Sequence, residues 1–77
     1  MSTITTQDYF EMIQTTEFMD IIESVPDDVW EAFDNSQCPI VLAQGIMNHV
    51  TCQQLDRIGI VFDQITELAQ LIASEGF

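Results

Sequence analysis

Three side chains that can ligate a metal or attack a carbonyl lie in the middle of the sequence: Cys38, His49 and Cys52. His49 and Cys52 are one helical turn apart, and a thiolate with an imidazole is a zinc-binding pair. No Cys-x-x-Cys pair and no fourth ligand accompany them, and Thr51 is expected to begin a new helix between them. The sequence therefore predicts no metal site, no cofactor and no Cys–His nucleophile. We expect two half-buried thiols that form no disulfide, and a histidine at a helix C-terminus, where the helix dipole favours it.

Ser36 is a second candidate for chemistry, because it stands just before a predicted helix in a small acidic chain. In that position it resembles the serine that carries phosphopantetheine in acyl carrier proteins, which are also small, acidic and four-helical. The resemblance implies a carrier role with a modified Ser36. The chain has Asn35-Ser36-Gln37 where that family has an Asp-Ser-Leu motif, and Asp34 lies one position too early. The other interpretation is a turn serine that caps a helix.

Acidic side chains greatly outnumber basic ones in this chain. Its 77 residues include 13 Asp and Glu but a single Arg and no Lys, so the net charge is −12. Such a chain repels nucleic acids and anionic lipids, because proteins bind both mainly through Lys and Arg. Nine of the acids fall within the first 34 residues: Asp8, Glu11, Glu17, Asp20, Glu23, Asp27, Asp28, Glu31 and Asp34. A surface of one sign attracts a partner of the opposite sign, so these residues are the predicted partner-binding surface. The alternative is a face that only keeps the chain soluble.

Trp30 stands among these acids, and a tryptophan rimmed by charges is typical of a binding hot spot. Either Trp30 or Phe18 is expected to supply the short-range binding energy, although both also suit a hydrophobic core. A helix with one acid every three residues has about one charge per 4.5 Å, whereas duplex DNA has about one per 1.7 Å. Mimicry of DNA therefore requires two or three acidic helices side by side, or a dimer.

The elements that must position these residues are helices. Thr5 precedes Asp8 by three residues, which is the spacing of a helix-capping box, and apolar residues over 9–13 fill one helical arc. A second amphipathic segment follows, but its apolar arc points about 180° away from the first. The pattern favours a break near Thr15-Thr16, where either hydroxyl can cap a new helix. One long helix over 6–24, contacted on opposite faces, is the alternative.

Two shorter helices are predicted next. Ser24 precedes Asp27 at capping-box spacing, and Pro26 is tolerated in a first helical turn, so a short helix is expected to run through Phe33. A further helix from about Pro39 to residue 50 is apolar nearly all round. We therefore expect this helix to be the central and most buried element.

A long C-terminal helix over about 52–74 completes the prediction. Thr51 and Gln54 have capping-box spacing. A heptad stripe of apolar residues follows, widened at its margins by Val61, Leu68 and Leu71, and its members are Leu55, Ile58, Phe62, Ile65, Ala69 and Ile72. Gly59 lies inside the stripe and costs about 1 kcal/mol relative to Ala, which predicts a close helix crossing there. The stripe is either this protein's own core or a self-association surface. The self-association residues would be Leu55, Ile58, Phe62 and Ile65.

The sequence thus predicts an all-α fold, a single acidic helical domain over 1–77 with four to five helices. No apolar run approaches the length of a membrane span and no signal peptide is recognisable, so a cytoplasmic location is expected.

The predicted function is non-enzymatic: docking on a basic, nucleic-acid-binding surface of a partner protein and inhibiting it. In size, charge and class the chain is similar to phage-type inhibitors such as anti-CRISPR and DNA-mimic proteins. The alternatives are a helical homodimeric adaptor or structural module, and an acyl-carrier-like protein.

Overall fold

The computed structural model describes residues 4–76, and this part of the chain folds into six α-helices and a 3₁₀ turn without a strand. The helices are α1 Thr6–Met12, α2 Thr16–Ser24, α3 Asp27–Ser36, α4 Pro39–His49, α5 Cys52–Arg57 and α6 Ile65–Glu75, with the 3₁₀ turn Phe62–Gln64 directly before α6. The predicted all-α class is confirmed, with six helices rather than four or five. Within the described residues, no helix has the length and apolar character that crossing a membrane requires.

Threonine hydroxyls begin three of the helices. Thr5, Thr15 and Thr51 are N-cap residues, and each accepts a hydrogen bond from the backbone N–H three residues later, at 3.0, 3.2 and 3.3 Å. Gln54 completes a full capping box, because its Oε1 accepts from the backbone N–H of Thr51 at 3.0 Å. The break predicted near Thr15-Thr16 is therefore confirmed, and α1 and α2 are separate helices.

Ser24 does not cap α3, so the second predicted capping box is wrong. Pro26 is the N-cap residue, with extended backbone that places Ser24 outside the helix start. The Ser24 hydroxyl instead donates to the carbonyl of Asp20 at 2.9 Å and accepts from Nε2 of Gln54 at 3.0 Å. This serine therefore links the end of α2 to α5.

The long helix predicted over about 52–74 is interrupted at Gly59. Gly59 has φ of 78°, in the left-handed region that favours glycine. Its N–H donates to the carbonyl of Asp56 at 3.0 Å, and the N–H of Ile60 donates to the carbonyl of Leu55 at 3.1 Å. These two bonds, with Leu55 and Ile60 both buried, form a Schellman C-cap that ends α5. The predicted crossing at Gly59 is also wrong, since a Cβ added there meets no atom within 4 Å.

The close helix crossing lies instead between α3 and α4. A Cβ atom added at Gly45 would overlap the side chain of Val29. α4 packs against both α3 and α6 and buries Leu42 and Ile46 completely. It is the central element, as predicted, but it is not buried all round, because Ile40 is 58% exposed.

Two long-range hydrogen bonds join the residues of α1 and just before it to α6 and the residue that follows it. The hydroxyl of Tyr9, a fully buried residue, donates to the carbonyl of Gly76 at 2.6 Å. The backbone N–H of Ile4 donates to the Glu67 carboxylate at 3.0 Å. The Tyr9 ring also meets the Phe18 ring edge-on, with centroids 6.2 Å apart. α1 is thereby held against α6 and the core.

Candidate partner-binding surface

All nine carboxylates predicted to bind a partner are exposed to solvent. Seven of them lie on α2 and α3, and we call these the acidic surface: Glu17, Asp20, Glu23, Asp27, Asp28, Glu31 and Asp34. The other two, Asp8 and Glu11, lie on α1 and border a groove described below.

The acids of α3 follow one side of the helix. Asp27, Glu31 and Asp34 are spaced by four and three residues, so their Cβ atoms are about 5 to 6 Å apart and like charges repel by a few tenths of a kcal/mol per pair. Asp27 and Asp28 in the first turn face the positive end of the helix dipole, whereas Asp34 lies near the negative end. The charge at Asp34 therefore strengthens the negative field around the protein but lowers the stability of α3.

The two acidic helices have different neighbours. α2 packs mainly against α5, and α3 packs mainly against α4, so within residues 4–76 they do not form a tightly packed acidic pair. The longest dimension of the fold is 28 Å, and duplex DNA of that length carries about 16 charges. The net charge of −12 approaches that value, but the acids that produce it lie on five of the six helices and on the 3₁₀ turn.

The exposure of the apolar side chains near these acids differs from the prediction. Phe18 is fully buried in the core, so it is not available to a partner. Trp30 is half-buried against the core, and Asp27 and Asp34, three residues before and four after it, lie on the same side of α3. Met19 belongs with Phe18 to the apolar arc predicted for the second amphipathic segment, but its side chain is 43% exposed. Trp30 and Met19 are therefore the apolar contacts that the acidic surface offers.

The four residues predicted for self-association do not share one exposed face. Leu55 and Ile65 are buried in the core, at 1% and 0% exposure. Ile58 is half-buried, and Phe62 is exposed. Val61, which the heptad stripe included only at its margin, is the most exposed apolar residue of this region at 54%.

The candidate nucleophiles do not assemble into a site. Both cysteines are free thiols; Cys38 is half-buried as predicted, but Cys52 is exposed because it lies in the first turn of α5 on the solvent side. Among residues 4–76 no group of three or more His, Cys, Asp or Glu side chains gathers around a point that could hold a metal ion. Ser36 is the last residue of α3, and its hydroxyl accepts from the backbone N–H of Cys38 at 3.2 Å. It closes one helix rather than capping the next, whose N-cap is Cys38.

A groove of about 490 Å³ lies between α1 and the turn that follows α5. Its lining consists of Ile4, Asp8, Glu11, Met12, Thr15, Arg57, Ile58, Gly59, Ile60 and Gln64. Two carboxylates, Asp8 and Glu11, come from α1, and Arg57 at the end of α5 is the only Lys or Arg of the chain. Residue spacing alone does not predict this groove. The available signal was Gly59 followed by Ile60, an apolar residue outside the heptad stripe, which is the pattern of a helix C-cap.

No protein-family model, curated protein or solved structure matches this chain. Charge and surface geometry are therefore what connect it to a function.

Proposed function

We propose that this chain is a non-enzymatic, cytoplasmic binding protein that docks its acidic surface on the basic, nucleic-acid-binding surface of a partner protein and blocks it. The exposure of all seven carboxylates of the acidic surface, in a chain with one Arg and no Lys, carries the proposal. A field of one sign accelerates encounter with a cationic surface. A basic surface covered in this way is closed to nucleic acid, which is the action of a DNA-mimic or phage-type inhibitor.

Affinity also needs contacts that exclude water. Charges at the rim of an interface mainly raise the association rate, whereas a few well-packed aromatic or apolar side chains mainly lower the dissociation rate. Trp30 and Met19 supply such side chains beside the acids of α3 and α2. Loss of either should shorten the life of the complex with little effect on the speed of its formation.

The test is co-purification with a matched pair of variants. The tagged chain captures proteins from lysate, and each capture is washed at low salt and at about 0.5 M salt, where the Debye length falls below about 8 Å. One variant reverses three charges of the acidic surface, Asp20→Lys, Glu23→Lys and Asp27→Lys. The control variant reverses three exposed acids elsewhere, at Asp56, Asp63 and Glu75, and has the same net charge. Helicity of both variants is checked by circular dichroism.

The proposal expects a nucleic-acid-binding protein that the parent retains at low salt and that added duplex DNA or RNA displaces. The acidic-surface variant should lose this protein, while the control variant keeps most of it. Equal loss of the captured protein from both variants would show that its retention depends on net charge and not on the acidic surface. Retention that neither salt nor nucleic acid changes would contradict the proposal.

A second candidate function is a homodimeric adaptor or structural module, favoured by the exposure of Val61 and Phe62 at 54% and 37%. Sedimentation equilibrium tests it, because Phe62→Gln would dissociate a dimer that uses this patch while leaving the core intact. Ile65 is fully buried, so a polar residue there would unfold the chain rather than report on assembly. A parent chain that sediments as a monomer at high concentration would reject this function.

A further inference from the structure

The groove between α1 and the α5 turn has the size and the mixed lining of a ligand site. Its volume of about 490 Å³ lies within the range of about 300 to 1,000 Å³ that small-ligand sites occupy. Three apolar residues of its lining, Ile4, Met12 and Ile60, belong to the buried core and form an apolar floor. Asp8, Glu11 and Arg57 are exposed members of the same lining, so charges of both signs border this floor.

Hydrogen bonds hold both sides of the groove in place in the folded chain. On one side, α1 is held by the bond from Tyr9 to Gly76 and the bond from Ile4 to Glu67. On the other side, the Schellman turn at Gly59 sets the path of the chain. A site that is already ordered costs less conformational entropy when a ligand binds.

Arg57 limits what the groove can accept. Asp8 and Glu11 are one helical turn apart, so their carboxylates can share one ammonium or guanidinium group. A segment with only basic side chains would also meet the Arg57 guanidinium, which repels it. A segment with only acidic side chains would meet the field of a chain at −12. The best match is a segment that carries one charge of each sign.

We propose that this groove binds a short peptide segment of a partner protein in which an apolar residue separates a basic and an acidic side chain. Asp8 and Glu11 bind the basic group, Arg57 binds the carboxylate, and the apolar side chain covers Ile60 and its neighbours. This site does not include the acidic surface of α2 and α3. Either proposal can therefore fail without the other.

The test is a titration of the ¹⁵N-labelled full chain, followed by amide chemical shifts, with three acetylated and amidated tripeptides. The bipolar probe has lysine, leucine and glutamate in that order. In the cationic probe glutamine replaces the glutamate, and in the anionic probe glutamine replaces the lysine. We expect the bipolar probe to bind about two- to fivefold more tightly than the cationic one, the factor of one exposed charge pair. Shifts should concentrate at residues of α1 and the α5 turn.

Matched variants assign the two charges. Arg57→Gln should abolish the advantage of the bipolar probe over the cationic probe. The double variant Asp8→Asn and Glu11→Gln should weaken both probes, whereas the same double neutralisation at Asp20 and Glu23 on α2 removes equal charge outside the groove and should have little effect. Equal affinity of the cationic and bipolar probes, shifts outside the groove, or no binding of any probe would each overturn the proposal.

Discussion

Gly45 lies against the side chain of Val29 where α4 crosses α3, with no space between them for a Cβ atom. The β-branched Val29 is stiff at χ1, so it cannot easily turn aside. The two helices therefore approach closely at this point, and the acids of α3 lie at exposed positions of the same helix.

Gly45→Ala should therefore destabilise the fold by about 1 kcal/mol, although Ala is the better helix former. The gain in helix propensity is about 1 kcal/mol, but overpacking a tight crossing costs about 1 to 3 kcal/mol. Urea unfolding followed by circular dichroism measures the difference. Gln44→Ala, at the exposed neighbouring position, is the control and should change stability little. Combining Gly45→Ala with Val29→Ala should cost less than the two changes added, since the smaller residue restores space.

Gly59→Ala should also lower stability, by about 1 kcal/mol, for a different reason. The residue has φ of 78°, a conformation that costs an L-residue about 1 to 2 kcal/mol. Because no atom lies within 4 Å of an added Cβ, the loss is conformational and not steric. Gly59→Asn should be milder, since Asn tolerates this conformation. In a continuous helix over 52–74, Gly59→Ala would instead raise stability, because Ala is the better helix former. Thermal melts of the two variants therefore distinguish the interrupted helix from the continuous one.

Tyr9 should make stability fall at high pH. Burial raises the pKa of its hydroxyl from 10.0 to about 12, and the Glu75 carboxylate adds to the rise. The folded chain thus holds this proton more tightly than the unfolded chain. The stabilisation is complete below pH 10 and is lost as the pH rises from 10 through about 12. Urea unfolding at a series of pH values measures the decline.

Tyr9→Phe is the control for this pH dependence. The chain has one Tyr, so tyrosinate absorbance reports this group alone in the parent. The variant should be about 1 kcal/mol less stable near neutral pH, because it lacks the hydrogen bond to the Gly76 carbonyl. Its stability should decline less between pH 10 and 12 than that of the parent. Identical declines in both proteins would assign the effect to groups other than Tyr9.

Neutralising two acids of α3 should have unequal effects. Asp34→Asn removes repulsion from Glu31 and an unfavourable charge near the helix C-terminus, so it should stabilise by about 0.5 kcal/mol at low salt. Asp27→Asn removes similar repulsion but also a favourable charge in the first turn, and its net effect should be near zero. Both differences should shrink in high salt. Equal stabilisation by both changes, measured by urea unfolding, would show that the helix dipole contributes nothing here.

The parts of the fold that the sequence predicted correctly are local ones. Thr5, Thr15 and Thr51 cap helices through bonds that reach only three residues along the chain, so residue type and spacing are sufficient to find them. The prediction of one continuous helix through Gly59 is wrong because a heptad stripe is equally compatible with one helix or with two helices in register. The residue that distinguishes them is Ile60, whose apolar side chain belongs to the Schellman cap.

The candidate site was less predictable, because it depends on which helices become neighbours. Spacing identified the acids and their exposure, but it could not tell that α2 would pack on α5 and α3 on α4. It also gave no reason to bring Arg57 to the same groove as Asp8 and Glu11, which precede it by more than 40 residues. Phe18 and Met19 are neighbours in one amphipathic pattern, and only packing decides which of them is covered.

The bond from Tyr9 to Gly76 joins residues 67 positions apart, and the bond from Ile4 to Glu67 spans 63. Closing loops of that length costs more entropy than any local contact of this fold, and a seven-residue helix such as α1 is too short to persist alone in water. We therefore expect the first helix to join the bundle late in folding and to be the first to detach when the fold opens locally. Its amides should exchange with solvent through this local opening, ahead of the amides of α4 and α6. Because α1 forms one side of the groove, each such opening also removes the groove. Ligand binding in the groove and the packing of α1 against the bundle are therefore coupled equilibria.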